Sequence, residues 1–177
     1  MKHDYRVEWN RIILSPLDGD DFESLRVLRN RERKWFKSSE EVSSSQQKKW
    51  QESYLGLPGD YMFKIALTGS PEDFIGAVGI YNTRVSTGQG EFGRLVIDRE
   101  MTGNMRGLGL DATIAVLDVA FSQMSLSEVY LEVLNENIAA IKTYERAGFE
   151  HLEDDGQIKR MTISKQSFIR HMNNTAT

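Results

Sequence analysis

Several residue types and patterns are scarce in this sequence, and their scarcity excludes whole classes of function. Cysteine is absent from all 177 residues, so disulfide bonds, thiolate nucleophiles and zinc–thiolate sites are excluded. No run of about 18 apolar residues occurs, so no segment is predicted to span a bilayer. Residues 1–6 also lack the apolar core of a secretion signal, and the expected location is therefore cytoplasmic.

An excess of basic charge is lacking as well. The 22 Lys and Arg residues are outnumbered by 26 Asp and Glu residues, which gives a formal charge of −4. Nonspecific nucleic-acid binding needs a strongly basic face, so neither nucleic acid nor an anionic membrane is expected as a partner. The histidines His3, His151 and His171 form no ligand-like cluster. We expect them at the surface and predict no bound metal.

The length and apolar content fit one α/β domain over residues 1–172, followed by a disordered tail at 173–177. Hydrophobic residues make up 40% of the chain, which is enough to form a sizeable core. The first half predicts strands at residues 11–14, 61–68, 74–81 and 91–97, and helices at 18–31 and 46–55. Short links containing glycine, proline or serine separate the last three strands, so this half is expected to be antiparallel.

The second half alternates helices and strands. A glycine-containing loop precedes a helix at 110–124, a strand follows at 128–134, and Asn137 opens a further helix that Gly148 ends. Two strands, at 149–153 and 158–163, complete the pattern. The predicted buried stripe of the first of these helices is Leu110, Ile114, Leu117 and Phe121. This order implies a parallel pair of strands within an otherwise antiparallel sheet.

The loop Arg106-Gly107-Leu108-Gly109-Leu110-Asp111, here called the phosphate loop, lies between a strand and a helix. Glycines let the backbone approach an anion closely, and free N–H groups at the helix start then face it. A tight turn that needs glycine only for its geometry explains the same residues. A dinucleotide-binding loop also fits the letters, with Glu128 or Glu132 near the ribose. The preceding antiparallel strands argue against that alternative.

Two motifs in the second half resemble the GNAT superfamily of N-acetyltransferases. Arg106-x-x-Gly109-x-Asp111 stands where that family has Gln/Arg-x-x-Gly-x-Gly/Ala, and the preceding Leu95-Val96-Ile97-Asp98 is similar to its strand. The segment 137–149 matches the family signature Asn-x-x-Ala-x-x-x-Tyr-x-x-x-Gly-Phe. The resemblance covers residues 61–163 well and residues 1–60 more loosely. Asp111 is a departure from the family pattern, and we expect its side chain to turn away from the phosphates.

The resemblance implies a mixed, mostly antiparallel sheet with a splayed parallel pair at the cofactor site, flanked by helices. It implies acetyl-CoA as cosubstrate, with the pyrophosphate on the phosphate loop and the pantetheine arm between residues 91–97 and 128–134. A backbone N–H there would polarise the acetyl carbonyl. The residues assigned to the cofactor are Leu95, Val96, Ile97, Arg106, Gly107, Leu108, Gly109, Leu110, Asp111, Asn137 and Tyr144.

Tyr144 and Glu91 are the candidate catalytic residues. The phenol of Tyr144 would protonate the departing thiolate, although a core tyrosine with a satisfied hydroxyl explains the residue equally simply. Glu91 would accept the amine proton, directly or through a water, and Gly90 and Gly93 beside it leave room for a substrate. The alternative for Glu91 is an exposed glutamate at a strand end. Glu132 is the reserve candidate for the base.

The acceptor is expected to bind to the first half of the chain. Residues 28–36, followed by Trp50, resemble the GNAT branch that acetylates amino groups of nucleotide-linked sugars. Arginines suit a diphosphate and aromatic rings suit a base or sugar, but a basic helix with Trp35 and Trp50 in the core is equally consistent. The predicted acceptor-binding residues are Arg29, Asn30, Arg33, Trp35, Trp50, Tyr81 and Glu91.

Other acceptors and another class of function stay open at this point. Ribosomal-protein N-terminal acetyltransferases and polyamine acetyltransferases are similar, although the basic run at residues 26–34 would repel a polycation. A noncatalytic acyl-CoA-binding module on the same fold is disfavoured by the presence of both Tyr144 and the phosphate loop. A homodimer is compatible with the sequence.

Overall fold

The computed structural model describes residues 2–84 and 86–175. This part of the chain contains eight strands and six α-helices. The strands are β1 (Val7–Trp9), β2 (Ile12–Pro16), β3 (Tyr61–Leu67), β4 (Gly76–Arg84), β5 (Gln89–Ile97), β6 (Glu128–Leu134), β7 (Glu150–Asp154) and β8 (Ile158–Ser164). The helices are α1 (Asp21–Arg31), α2 (Ser44–Gly56), α3 (Arg99–Thr102), α4 (Leu108–Asp118), α5 (Ile138–Arg146) and α6 (Lys165–Thr175). A 3₁₀ turn at Arg33–Trp35 follows α1, and a π turn at Val119–Gln123 extends α4.

All eight strands form one sheet in the order β1-β2-β3-β4-β5-β6-β8-β7. Neighbouring strands are antiparallel except β5 and β6, which are parallel. The crossover between β5 and β6 contains α3 and α4, as a parallel pair requires. This arrangement confirms the predicted α/β fold class, including the parallel pair inside a mostly antiparallel sheet.

Each face of the sheet carries its own hydrophobic core. One face packs on α4, α5 and α6 through residues such as Phe63, Val78 and Leu131. The other face packs on α1 and α2 through residues that include Met62 and Ala77. Successive side chains of a strand point to opposite faces, so neighbours such as Met62 and Phe63 fall in different cores. The sheet therefore separates two helical layers, and a gap in it would connect them.

Local signals predict the second half of the fold closely. The strand β6 has the predicted bounds, and Asn137 caps α5 by accepting a hydrogen bond from the Ala140 N–H at 3.2 Å. Gly148 follows the last turn of α5 with φ +96°, a left-handed conformation that favours glycine. At the start of α2, Ser43 forms a capping box with Gln46.

Several predictions about elements were wrong. The strands and helices β1, α3 and α6 were not predicted, and α6 contains residues 173–175, which were assigned to a disordered tail; the rest of that tail lies outside the described residues. Of the stripe predicted to be buried on α4, Leu117 and Phe121 are buried, whereas Leu110 and Ile114 are only half-buried. Over the described ranges, no helix has the length and apolarity needed to cross a membrane.

The prediction that all three histidines lie at the surface was wrong for His3. Its ring packs on Phe63 with centroids 4.8 Å apart, and its Nε2 lies 3.1 Å from the Met62 carbonyl oxygen. Burial lowers the pKa of His3. His151 is exposed and His171 is half-buried. Within residues 2–84 and 86–175, no group of three or more His, Asp and Glu side chains is arranged to hold a metal ion.

Candidate active site

The parallel strands β5 and β6 diverge about halfway along their length. They pair from Gln89 and Glu128 up to Phe92 and Leu131, and pairing stops there although β5 continues to Ile97 and β6 to Leu134. The opening between residues 93–97 and 132–134 is here called the fork. It is the splayed parallel pair that the sequence predicts, and it passes through the sheet between the two helical layers.

Two irregularities in the pairing of β4 with β5 bend β5 beside the fork. The register shifts between Ala77 and Gly79 and again between Tyr81 and Arg84. At these places Arg94 and Asn82 have φ of 55° and 52°, which non-glycine residues adopt rarely. A β-bulge leaves backbone groups outside the ladder and turns the strand. The bulge at Arg94 therefore places unpaired backbone donors and acceptors of β5 next to the fork.

A large cleft of about 1530 Å³ runs through the fork. Its lining combines β5, β6, the phosphate loop, the start of α5 and the segment between α1 and α2. Ordinary small-molecule sites occupy about 300–1,000 Å³, so this cleft has room for two ligands of substantial size. Every predicted cofactor residue except Asp111 lines it; those residues are Leu95, Val96, Ile97, Arg106, Gly107, Leu108, Gly109, Leu110, Asn137 and Tyr144.

The phosphate loop forms the N-terminus of α4. Gly107 is the N-cap residue, and its φ of +87° is one that a side chain would strain. The first N–H groups of a helix have no partner within it, so those of Leu108, Gly109 and Leu110 are available to an anion. At Gly109 an added Cβ would meet nothing closer than 3.9 Å. The loop therefore has the form of an anion cradle with room above Gly109.

Asp111 does not line this cradle. Its carboxylate is buried and accepts hydrogen bonds from Arg11 Nη2 at 2.8 Å and from Asn10 Nδ2 at 3.1 Å. Arg11 Nη2 also donates to the Arg106 carbonyl oxygen at 2.8 Å. Asp111 and Arg11 thus fasten the phosphate loop to the turn between β1 and β2. The sequence analysis did not predict the contact of Arg11 with Asp111, because the two residues lie 100 positions apart in the chain.

Replacing Asp111 with Ala is expected to destabilise the protein by about 1–3 kcal/mol, the contribution of hydrogen bonds to a charged group. The loss stays below the larger values known for buried ion pairs because the Arg11 side chain is 45% exposed and can regain water. Urea unfolding would measure the change. Glu145→Gln, at an exposed position of α5, is the matched control and should change stability little. Equal stability of Asp111→Ala and the parent would show that the contact does not hold the loop.

Tyr144 reaches the fork from the α5 side. Its side chain is buried, its ring makes an edge-on contact with Phe92 at 5.3 Å, and it lines the cleft. Burial raises the pKa of Tyr144 well above its usual value, so the phenol keeps its proton. Among the described residues its hydroxyl has no hydrogen-bond partner. No other described residue therefore satisfies this hydroxyl, and Tyr144 lines the cleft.

Glu91 lies at the opposite face of the fork from Tyr144, because side chains alternate along β5 and Phe92 faces α5. Its carboxylate accepts hydrogen bonds from the Tyr81 hydroxyl at 2.9 Å and from Asn82 Nδ2 at 2.8 Å. It is 8% exposed, so the alternative of an exposed strand-end glutamate was wrong. These two donors, Tyr81 and Asn82, lie where β4 is bulged. Because the bulge breaks the regular alternation of side chains, the sequence did not predict that Asn82 faces Glu91.

Gly93 is required beside this carboxylate. A Cβ at Gly93 would come within 2.6 Å of the Tyr81 hydroxyl, which is the group that donates to Glu91. Burial, followed by the charge of Glu91, raises the pKa of Tyr81, so its hydroxyl stays a donor at neutral pH. The small residue thus makes room for a fixed hydrogen bond and not for the substrate alone.

Glu132 is the first residue of β6 beyond the paired region, and two cations hold it. Its carboxylate contacts the Lys37 ammonium and accepts from Arg160 Nη2 at 2.6 Å. Hydrogen bonds from Lys37 and Arg160 lower the pKa of Glu132. A carboxylate with a lowered pKa is a weak base, so Glu132 is poorly suited to proton removal. Lys37 itself was not predicted at this site.

Two basic residues of α1, Arg26 and Arg29, donate hydrogen bonds to the segment between α1 and α2, here called the α1–α2 loop (residues 36–42). Arg29 donates to the Ser38 and Glu40 carbonyl oxygens, both at 3.0 Å. The Asn30 amide bonds the Val42 backbone through both its oxygen and its nitrogen. Arg33 donates to the Asn30 carbonyl oxygen at 3.2 Å. Arg29 lines the cleft, but Asn30 and Arg33 do not, which corrects their assignment to the acceptor.

The aromatic residues predicted for the acceptor do line the cleft. Trp35 is 40% exposed there, whereas Trp50 stacks on Tyr54 at 5.2 Å and presents only part of its ring. Tyr81 lines the cleft beneath the Arg94 guanidinium, which lies 4.1 Å from its ring centroid. Of the predicted acceptor residues, the structure thus brings together Arg29, Trp35, Trp50, Tyr81 and Glu91.

Comparisons with known proteins agree with this geometry. A family model for the GNAT acetyltransferase domain matches residues 11–150. No curated protein matches the chain. Among solved structures, FdhC, a nucleotide-linked sugar GNAT, superposes with a TM-score of 0.84 at 16% identity, covering 98% of both chains.

Two further solved structures have the same fold. The spermidine N-acetyltransferase from Vibrio cholerae, in complex with CoA and spermine, gives a TM-score of 0.78 at 22% identity, covering 90% of this chain and 98% of that one. A GCN5-related N-acetyltransferase from Brucella melitensis gives 0.76 at 14% identity, covering 97% and 83%. With the family model spanning most of the sequence, the chain belongs to the GNAT acetyltransferase family and is an N-acetyltransferase that uses acetyl-CoA.

Proposed function

We propose that this enzyme transfers the acetyl group of acetyl-CoA directly to a primary amine of a nucleotide-linked amino sugar. The observation that carries the proposal is the cleft through the fork, which has a proton donor on one face of the sheet and a carboxylate on the other. Acetyl-CoA, the acetyl donor, enters from the α4–α5 face of the sheet, and the acceptor amine enters from the α1–α2 face. The two substrates then meet in the opening of the sheet.

The donor half is lined by groups that suit coenzyme A. The pyrophosphate would take the N–H groups of residues 108–110, with Arg106 adding positive charge. The pantetheine arm would lie along Leu95, Val96 and Ile97 of β5, and Asn137 would border its other side. An unpaired N–H of the bulged segment would polarise the acetyl carbonyl, as in an oxyanion hole. Tyr144 would then protonate the departing thiolate.

The acceptor half begins at Glu91. Its Oε1 accepts one hydrogen bond and its Oε2 accepts two, the second from the Tyr130 hydroxyl at 3.4 Å, but an ionised carboxylate has about four lone-pair sites and can accept an amine as well. Glu91 would position the amine and take its proton, directly or through a water. The donors Tyr81 and Asn82 hold the carboxylate in place for this role.

The outer part of the acceptor half supports a large, partly aromatic acceptor. Trp35 presents an exposed ring to the cleft, and Arg29 and Trp50 line the same region. The volume of about 1530 Å³ is larger than the roughly 300–1,000 Å³ of an ordinary small-molecule site, which is consistent with a sizeable acceptor beside acetyl-CoA. The similarity in fold to a nucleotide-linked sugar GNAT points the same way.

A polyamine acceptor is the second candidate, and one specific observation favours it. Six glutamates line the cleft: Glu32, Glu40, Glu41, Glu91, Glu132 and Glu136. The Arg29 cation that would oppose a polycation is engaged with backbone carbonyls. These carboxylates would attract a polycation, whereas cleft-lining cations such as Lys37 and Arg94 would oppose it, and turnover distinguishes the two acceptor classes.

An acceptor screen with acetyl-CoA, read by release of free thiol, tests the proposal. A nucleotide-linked amino sugar should give a higher kcat/KM than the same free amino sugar and than spermidine. Trp35→Ala should raise KM for the nucleotide-linked sugar by roughly tenfold, because stacking of a base on an aromatic ring contributes about 1–3 kcal/mol. The free sugar should be unaffected by that change.

The double variant Glu40→Gln/Glu41→Gln tests the second candidate, a polyamine acceptor. These two exposed residues should matter for spermidine and not for the sugar nucleotide. Preference for spermidine, with kcat/KM lowered in this double variant, would exclude the sugar-nucleotide assignment and leave acetyl transfer intact.

A further inference from the structure

Lys37 places a primary amine of the enzyme itself at the mouth of the fork. Its ammonium contacts the Glu132 carboxylate and lies 3.9 Å from Glu91 Oε1. Glu91 belongs to the last paired stretch of β5, and Glu132 follows the last paired residue of β6. The ammonium therefore stands between the two strands where they diverge. An acceptor amine has to occupy this same place to reach the thioester.

The α1–α2 loop holds Lys37 there from both sides. Arg29 bonds the Ser38 and Glu40 carbonyl oxygens, immediately after Lys37, and Asn30 clamps Val42 at the end of the loop. On the other side, the Phe36 ring packs against the Arg29 guanidinium at 5.4 Å. These anchors fix the backbone while the side chain stays half exposed and free to extend. A tethered amine of this kind has a high effective concentration at the site.

We propose that Lys37 is a site of self-acetylation by acetyl-CoA bound in the same molecule when no acceptor fills the cleft. The inference rests on the acetyl-transfer chemistry proposed above but not on the identity of the acceptor. The ammonium gives one proton to a neighbouring carboxylate and then to water. The free amine attacks the thioester carbonyl, and its nitrogen gives up a second proton to water as the amide forms. The C–N bond forms and the C–S bond breaks. The thiolate leaves with a proton from Tyr144, which is replaced from solvent.

The products are Nε-acetyl-Lys37, coenzyme A and one proton released to solvent. The modification removes the positive charge between Glu91 and Glu132 and replaces it with a neutral amide. Both carboxylates then lose the Lys37 cation, and Glu132 keeps its contact with Arg160. Acetylation would therefore change how the mouth of the fork receives a cationic acceptor.

Incubation of the full chain with acetyl-CoA and no added acceptor tests the proposal. Peptide mass mapping over time should show Lys37 acetylated roughly tenfold or more faster than the exposed Lys49 and Lys142, because only Lys37 is tethered at the fork. Excess coenzyme A should slow the reaction at Lys37 alone. Acetyl phosphate, which donates acetyl groups without a coenzyme A moiety, should show no preference for Lys37.

Two variants distinguish enzymatic from chemical modification. Tyr144→Phe should slow acetylation at Lys37 and leave Lys49 and Lys142 unchanged, whereas Lys37→Arg should abolish the thiol released without acceptor. Equal rates at all three lysines, or a Lys37 rate unaffected by Tyr144→Phe, would overturn the proposal. An enzyme that turns over an added amine but leaves Lys37 unmodified when incubated with acetyl-CoA alone would overturn it too, while leaving the proposed function standing.

Discussion

Tyr144→Phe is expected to lower kcat by roughly 10²-fold or more, the range in which general acid–base groups contribute. The substitution keeps the ring that contacts Phe92 and removes only the hydroxyl at the fork. KM for the acceptor should stay unchanged, because the lost interaction is one made in the transition state. Steady-state kinetics with acetyl-CoA and the best acceptor from the screen would measure both constants.

The fold should not be affected by this change. The Tyr144 hydroxyl has no hydrogen-bond partner among the described residues, so its removal leaves no buried group unsatisfied. Burial raises the pKa of Tyr144, so the wild-type phenol stays protonated through the neutral and moderately alkaline range. Ionisation of Tyr144 should therefore cause no loss of wild-type activity up to about pH 10, the ordinary value for a tyrosine.

Tyr54→Phe is the matched control on another buried tyrosine. The Tyr54 hydroxyl accepts a hydrogen bond from the Met62 N–H at 3.0 Å, and Tyr54 does not line the cleft. Its removal leaves that buried N–H without a partner, at a cost of about 1–3 kcal/mol. The two variants should thus show opposite behaviour, one in rate and the other in stability. Full activity of Tyr144→Phe would remove the tyrosine from the mechanism.

Local chemistry explains why the sequence predicted the second half of the fold so closely. Three local signals act over only a few residues: the Asn137 cap, the left-handed Gly148 and the β-forming residues of β6. Signals of such short range can be recognised directly in the sequence. The strand β1 has only three residues, and its partner turn at Asn10 has no glycine. Such a short element has too little periodicity to be recognised.

The chemistry of the site was harder to predict because its partners are distant in sequence. The contact of Lys37 with Glu132 joins residues 95 apart, and nothing in the local pattern of either points to the other. The basic residues of α1 showed a cationic face, but backbone carbonyls of the α1–α2 loop take up the donors of Arg29. A one-dimensional pattern gives the charge of a segment, whereas only the fold decides which groups neutralise it.

Gly109→Glu is expected to weaken acetyl-CoA binding by roughly 10²-fold or more. Its side chain would enter the cradle above the start of α4, where the pyrophosphate is proposed to sit. Two like charges about 5 Å apart repel by about 3 kcal/mol at an effective dielectric constant of about 20. The loss should be visible as a loss of thermal stabilisation. At 100 times its Kd a ligand stabilises the native state by about 2.7 kcal/mol, and most of that should vanish in the variant.

Two substitutions at the same position separate charge from bulk. A Cβ at Gly109 would meet only Leu95 at 3.9 Å and Thr143 at 4.0 Å, so Gly109→Ala should fold well and retain most of its affinity. Gly109→Gln has nearly the bulk of glutamate without its charge, and its affinity should lie between the two. The difference in acetyl-CoA affinity between Gly109→Glu and Gly109→Gln should shrink as the salt concentration rises, since mobile ions screen exposed charges. Normal acetyl-CoA binding by Gly109→Glu would mean that the phosphates do not lie on this loop, and stabilisation by NAD in place of acetyl-CoA would revive the dinucleotide alternative.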